Sequence, residues 1–447
     1  MSALFVFGLI FLAVVCMVIA ISKYHYHPFI VMTVIAILMG LICGVEPNKV
    51  VDTVKSGFGG ILTSIGIVIL CGTIIGKILE KTGAALTMAN TILKIVGKEN
   101  SVITMGIMGY VTGIPVFCDS GFVVLSPISR AMSEQSKKSL AVMATALSGG
   151  LYATHCLVPP TPGPIAMAGT LNADLGLTIL VGLLISIPAT VVAVLYANKI
   201  ASTIEIPANS EYTLEQLERL YGALPGAMHS FSPIFLPIIL IALSSVAKFP
   251  TKPLGSGALV AVINFIGNPV IALILGVFLA MTLIPASAKD KTLEWFNEGV
   301  KDSAAILVIT GAGGSFGAIL KLMPIADATK NLGLLDAGVG ILIPFIIAMV
   351  LKLAMGASTV AMITTASMMA PLMGTLGFTS SLGRVLVVMA IGAGSMVASH
   401  ANDSYFWVVS QFSDMTTPQA YKCQTGMTAV MGTFVALVLV VLSFTIL

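Results

Sequence analysis

The sequence predicts an all-α polytopic membrane protein made of two inverted repeats, each with transmembrane helices, a re-entrant hairpin and a broken helix. Three observations carry that reading. Only 9% of the 447 residues are charged and 57% are hydrophobic, with a mean hydropathy of +1.04, so one compact core cannot hide the apolar side chains and lipid must cover most of them. The apolar runs are interrupted at membrane depth by Gly, Pro and small polar residues. Small features also recur between the halves at an offset of about 241 to 246 residues.

The composition also excludes several classes. A net charge of +3, with no block of five like charges, rules out a nucleic-acid or other polyanion partner. Cys16, Cys43, Cys71, Cys118, Cys156 and Cys423 form no C-x-x-C pair and no zinc-ligand spacing, so they read as buried small residues. No cofactor or metal is expected. The run Ala3 to Ile21 lacks a basic leader and a cleavage site, and reads as a retained transmembrane helix.

Further apolar spans lie near residues 29–45, 58–79, 139–157, 175–198, 232–247, 268–286, 303–320, 384–399 and 425–447, most of them able to cross about 30 Å of hydrocarbon. Residues 101–133 and 338–374 are apolar but broken near the middle, as re-entrant hairpins are, while 139–172 and 384–415 read as broken helices. The polar stretch 202–230, with Glu205, Glu211, Glu215, Glu218 and Arg219, is a linker between a first repeat over 1–201 and a second over 231–447. Gly72-x-x-x-Gly76 recurs as Gly313-x-x-x-Gly317, and Gly149-x-x-x-Ala153-Thr154-His155 as Gly394-x-x-x-Ala398-Ser399-His400. Pro127, at the end of the first hairpin's second arm, answers to Pro371. If that hairpin enters and leaves on one face, Lys23, Lys77, Lys81, Lys94, Lys98, Arg130, Lys137, Lys138 and Lys199 share a side and only Lys49 and Lys55 oppose them. The crowded side, and the linker with it, is then cytoplasmic and both termini are external. Inverted repeats with helices interrupted at the midplane are a transporter architecture.

Polar groups in apolar context gather at four breaks. Gly113 to Gly121 carries Asp119, Ser120 and Gly121; Thr154 to Pro164 carries Thr154, His155 and Thr161 among prolines that forbid continuous helix. Gly356 to Thr359 carries Ser358 and Thr359, and Ser399 to Ser404 carries Ser399, His400, Asn402 and Asp403. Non-helical backbone survives at membrane depth only where protein or water satisfies it, so paired breaks imply one central polar cavity. Helix N-termini expected at Phe122, Ile165 and Val360 turn N–H groups towards it, which suits a carboxylate, and the neutral side chains suit hydroxyl groups. Asp119 and Asp403 are the candidates for proton coupling, because a carboxylate costs about 2.5 to 3.5 kcal/mol at the bilayer centre and marks an ion or proton path. His155 and His400 are alternatives. Structural readings stand beside these: Asp119 as the cap of a helix starting at Gly121, Lys352 snorkelling to the outer interface, and Gly72, Gly76, Gly313 and Gly317 as helix–helix contacts.

At these breaks the chain resembles the gluconate:proton symporter family of bacterial permeases, which includes sugar-acid and D-serine transporters. The resemblance runs over nearly the whole chain, through His27-Pro28-Phe29, Ser56-Gly57-Phe58-Gly59-Gly60, Gly121-Phe122-Val123, Thr154-His155 with Pro159-Pro160-Thr161-Pro162-Gly163-Pro164, and Asn172-Ala173-Asp174. In the second half it rests on Gly267-Asn268-Pro269, Gly311-Ala312-Gly313-Gly314-Ser315-Phe316, Gly356-Ala357-Ser358-Thr359-Val360-Ala361 and Ser399-His400-Ala401-Asn402-Asp403 with Phe406-Trp407. It implies a proton-coupled importer of a small hydroxy-acid anion in the bacterial inner membrane. Through the wider superfamily it implies an elevator-like motion and a homodimer. The chain departs from the family pattern at Thr161, where members often carry His, and at Asp119-Ser120-Gly121, where they carry Glu-Val-Gly. Three alternatives stay open: a D-serine or other small-acid permease on the same fold, sodium coupling through Asn402, Ser399 and backbone oxygens, and a membrane-embedded hydrolase with His155 or His400 as base.

Overall fold

The computed structural model describes residues 26–97, 99–208, 224–247, 257–322, 340–374, 376–401 and 403–446, with residues 254–255 and scattered positions between 8 and 24. Most of the first expected span, the acidic part of the linker, and Asn402 lie outside the described residues. No strand occurs among the described residues.

In the first half the helices are α1 (Pro28–Ile42), α2 (Pro47–Lys81), α3 (Ala84–Val96), α4 (Ser101–Thr112), α5 (Cys118–Ser136), α6 (Leu140–Leu157), α7 (Pro162–Thr170) and α8 (Leu175–Lys199). The second half has α9 (Ala227–Ala247), α10 (Ala258–Ile266), α11 (Pro269–Met281), α12 (Thr292–Leu322), α13 (Leu342–Met355), α14 (Ser358–Met369), α15 (Ser381–Met396) and α16 (Ser404–Phe412). It ends in α17 (Thr417–Ala420), which runs through a π-turn at Tyr421–Thr425 into α18 (Gly426–Ile446). The hairpins are thus α4–α5 and α13–α14, and the broken helices α6–α7 and α15–α16.

Local chemistry explains where these elements start. Pro occupies the first turn of α1, α2, α7 and α11, where its missing N–H has no helical partner to lose. His27 and Asn268 cap α1 and α11 from equivalent positions, accepting from Phe29 N and Val270 N. The motif Asn172-Ala173-Asp174 closes one helix and opens the next: Asn172 takes a left-handed φ of 51°, and Asp174 Oδ1 accepts from Leu177 N at 2.7 Å to cap α8.

The most extensive helix pair is α2 with α12. Gly57 abuts Gly314 at one end, where Ser315 Oγ donates to Val54 O at 2.8 Å. At the other end Lys77 meets Asp302 at 3.0 Å and Lys81 meets Glu298 at 2.8 Å. The two corresponding helices therefore run antiparallel, as inverted copies do. Around them the halves interlock: α7 packs on α14, the second arm of the other half's hairpin, and α16 packs on α5. That exchange brings the four breaks together. All of α6 is buried, and Gly109 and Gly150 let the backbones of α4 and α6 meet where no Cβ would fit.

Several expectations need correction. The helices after the breaks begin at Cys118, Pro162 and Ser358, earlier than Phe122, Ile165 and Val360. Asp119 therefore lies inside the first turn of α5 and caps nothing, because the chain re-enters helix directly after the Pro115 bend. Pro127 does not end that arm; α5 continues through it to Ser136. Two helices were not foreseen. α3 is short and carries Thr87, Asn90, Thr91 and Lys94 within its apolar pattern, and α10 is a short segment bent 63° from α11 at Gly267–Asn268. Cys71, Cys118, Cys156 and Cys423 are buried, but Cys43 is half-buried and Cys16 exposed. Lys352 does not snorkel: it is 0% exposed. It sits in the last turn of a re-entrant arm, which is the deepest point of a hairpin rather than its mouth.

Candidate functional site

The site is built where the tips of the two hairpins meet the two helix breaks. α13 ends at Gly356, whose φ of 78° turns the chain sharply into α14. One turn earlier, Lys352 Nζ donates to Gly356 O at 2.5 Å and to Asp403 Oδ2 at 2.6 Å. Asp403 is the N-cap of α16: its Oδ1 accepts from Tyr405 N at 3.2 Å. Ser399 Oγ also donates to Asp403 Oδ2, at 2.5 Å. The side chains of Lys352 and Asp403 are 1% and 6% exposed, so an ion pair is held inside the protein, supported by the Gly356 carbonyl, the Ser399 hydroxyl and the Tyr405 amide.

Aromatic rings wall this pair. Lys352 Nζ lies 5.9 Å from the Tyr152 ring centroid, and Tyr152 stacks on Tyr405 at 5.2 Å and on His155 at 6.4 Å with an interplanar angle of 8°. Tyr152 OH and Ser358 Oγ share a hydrogen bond of 2.6 Å, which joins α6 to the second hairpin tip. His155 is buried, and its Nδ1 has no hydrogen-bond partner among the described residues. Asp119, half-buried at the first tip, accepts from Ser404 Oγ at 3.3 Å and faces Cys118 Sγ at 3.7 Å. Ser404 directly follows Asp403, so the two expected carboxylates flank one serine.

The remaining expected residues are placed less centrally. Thr161 Oγ1 donates to Val158 O at 2.5 Å and Thr154 Oγ1 to Gly150 O at 3.3 Å, both within their own turns. His400 Nε2 lies 3.1 Å from Leu353 O. Gly121 packs against Leu151. Ser120 and Thr359 are half-buried in the first turns of α5 and α14. Prolines at the first and third positions of α7 leave it few open N–H groups. By contrast α14 has Ser358, Thr359 and Val360 amides with no acceptor one turn back, and no acidic residue in its first turn.

Sequence reasoning missed the two tyrosines and the role of Lys352. The signal for the lysine was present: Lys352 and Asp403 are the cation and the anion nearest the two breaks of the second half, with Arg384 and Asp414 at the far ends of the broken helix, and intramembrane charges pair. Gln424, in the π-turn, was also missed; its Oε1 accepts from Ser148 Oγ at 2.6 Å, and Ser148 O accepts from Tyr405 OH at 3.2 Å.

Known proteins resemble the chain over nearly its whole length. The chain is 32% identical to a gluconate permease of Pseudomonas aeruginosa over 94% of this chain and 93% of that one. It is 30% identical to the D-serine transporter DsdX of Escherichia coli K12 over 97% of this chain and 98% of that one. In fold it matches the crystal structure of the Alcanivorax borkumensis YdaH transporter, described as having an unusual topology, with a TM-score of 0.66 at 14% identity over 94% of this chain and 99% of that one. The model of the GntP family permeases matches residues 5–446. The chain therefore belongs to the GntP permease family, as a multi-pass membrane transporter of a small molecule and not an enzyme.

Proposed function

We propose that the protein imports a small hydroxy-acid anion, gluconate or a related sugar acid, by proton symport across the bacterial inner membrane. The observation that carries this reading is the enclosed Lys352–Asp403 pair where the four breaks converge. A lysine beside the open amides of α14 receives a carboxylate, and Asp119 or Asp403 takes the coupling proton. Ser358, Thr359, Ser399, Ser120, Thr154, Thr161, His155, His400, Gly121 and Asn402 are the proposed substrate-facing set, with Tyr152 added by geometry. The gluconate permease of Pseudomonas aeruginosa supports the substrate class.

The rest of the reading is consistent with this. The repeats span 1–201 and 231–447 about a cytoplasmic linker over 202–230, the termini are external, and the protein works as a homodimer. A second reading, D-serine as the solute, has its own support in the relative named for it and in Asp119. That carboxylate makes no ion pair among the described residues and is free to meet an ammonium group.

The test is uptake of labelled gluconate into proteoliposomes under an imposed inward proton gradient, with unlabelled sugar acids and D-serine as competitors. Accumulation blocked by sugar acids and not by D-serine is the expected result. Accumulation that follows a sodium gradient, or that D-serine alone drives or blocks, replaces this reading with the corresponding alternative.

A further inference from the structure

The four breaks are not chemically equivalent. α5 carries its own anion, Asp119, in its first turn. α7 opens with two prolines, and α16 is capped by Asp403. Only α14, among the described residues, combines open first-turn amides, no anion of its own, and a cation bonded to the tip that precedes it. Yet that cation is already occupied by Asp403, and neither residue makes another ion pair among the described residues. An incoming carboxylate therefore competes with Asp403 for Lys352.

We propose that coupling is a partner exchange: the substrate carboxylate replaces Asp403 on Lys352, and Asp403 takes a proton on Oδ2 from water on the open side. The proton leaves to water on the opposite side when the substrate departs and Lys352 returns to Asp403. This deepens the proposed function and rests on it. The exchange is obligatory because a carboxylate stripped of its cation in a water-poor interior cannot remain charged without a large desolvation penalty. Ser399 Oγ and Tyr405 N, which hold Asp403 in place now, also hold its protonated form. One monoanion then moves with one proton, so gluconate transport carries no net charge, whereas zwitterionic D-serine would carry one positive charge.

Other titratable groups face the pair: Asp119 on α5, His155 and Tyr152 on α6, Tyr405 on α16, and the Cys118 and Cys156 thiols. His400 is engaged with Leu353 O. Asp119 and His155 are the groups able to stand in for Asp403, and variants separate them.

The experiment measures protons taken up per gluconate bound by the purified full-length protein in weakly buffered detergent, with D-serine in parallel. Wild type is expected to take up one proton per gluconate. Asp403→Asn should bind gluconate without proton uptake and with an affinity that no longer varies with pH, since Lys352 is then permanently available. Lys352→Gln should weaken binding roughly tenfold or more, the loss of a charge-assisted hydrogen bond. The pair Lys352→Gln with Asp403→Asn keeps the interior neutral; it should fold, bind weakly and take up no proton. Undiminished proton uptake in Asp403→Asn, its disappearance in Asp119→Asn or His155→Gln instead, or wild-type affinity in Lys352→Gln would overturn the exchange while leaving the proposed function in place. A wild-type protein that binds neither gluconate nor D-serine sinks both.

Discussion

Four residues before the glycine that ends its first arm, the first hairpin has Gly109 and the second has Lys352. At the N-cap of the helix after the break, the first half has Thr161 and the second has Asp403. The helices of the two halves correspond, but the same two positions serve packing in one copy and charge in the other. Gly109 lets α4 lie backbone to backbone on α6, and among the described residues the Thr161 side chain bonds within its own turn. Lys352 and Asp403 join a hairpin to a broken helix across 51 residues. The repeated architecture brings the four breaks together, and divergence of the copies places the charged pair among them.

That contrast predicts a graded set of effects. Removing one partner of the buried pair, by Lys352→Gln or Asp403→Asn, should destabilise the protein by about 3 to 5 kcal/mol, and the double variant should recover most of it. Thermal unfolding in detergent reads both; additive losses would break the comparison. In the first half the corresponding change is steric. A Cβ at Gly109 meets Leu147 O and Leu151 N, which cannot step aside. Gly109→Ala should therefore cost about 1 to 3 kcal/mol, while Gly59→Ala, with nothing near its Cβ, should gain up to about 1 kcal/mol.

Thr161→Ala should cost about 1 kcal/mol, the value of one neutral hydrogen bond, against a larger loss for Asp403→Ala. The smallest effect belongs to a contact the halves share. Arg384 Nη1 donates to Leu171 O at the end of α7, and Arg130 Nη2 to Phe412 O at the end of α16, each cation sitting at a helix C-terminus. Arg130 also pairs with Asp414 at 2.6 Å, half in solvent. The guanidinium holds the Asp414 carboxyl below its usual range, so its contribution is present at neutral pH and lost as pH falls through that lowered value. Arg130→Ala should change stability by no more than about 1 kcal/mol, and the difference from wild type should shrink in acid.

Much of this was legible in the sequence, for identifiable reasons. The hairpin tip at Gly356 and the breaks at Pro159-Pro160 and Ser399–Asp403 stand out because paired prolines, charge, and Gly next to small polar residues interrupt otherwise apolar runs. The offset between copies was readable because small residues mark backbone contacts that both halves need. Hydropathy was weaker on α3, whose polar positions dilute its signal, and on α10, which is too short to read as a span. The site was half legible. Asp119 and Asp403 were singled out as charges, but their meeting through Ser404 depends on α16 crossing to α5, a tertiary contact. Lys352 was misread because a lysine near a helix end ordinarily reaches water. In a re-entrant arm the helix end is the tip, and its neighbour there is Asp403.

The most direct test of the central claim, that the charged pair of the second half couples solute to proton, compares two modes of transport by Asp403→Asn in proteoliposomes. Under the proposed symport, exchange of internal for external gluconate needs only binding and movement, whereas accumulation against a gradient also needs the proton. If Asp403 carries the proton, Asp403→Asn retains exchange and loses accumulation, whereas Asp119→Asn retains accumulation. Accumulation by Asp403→Asn to the wild-type level would contradict it.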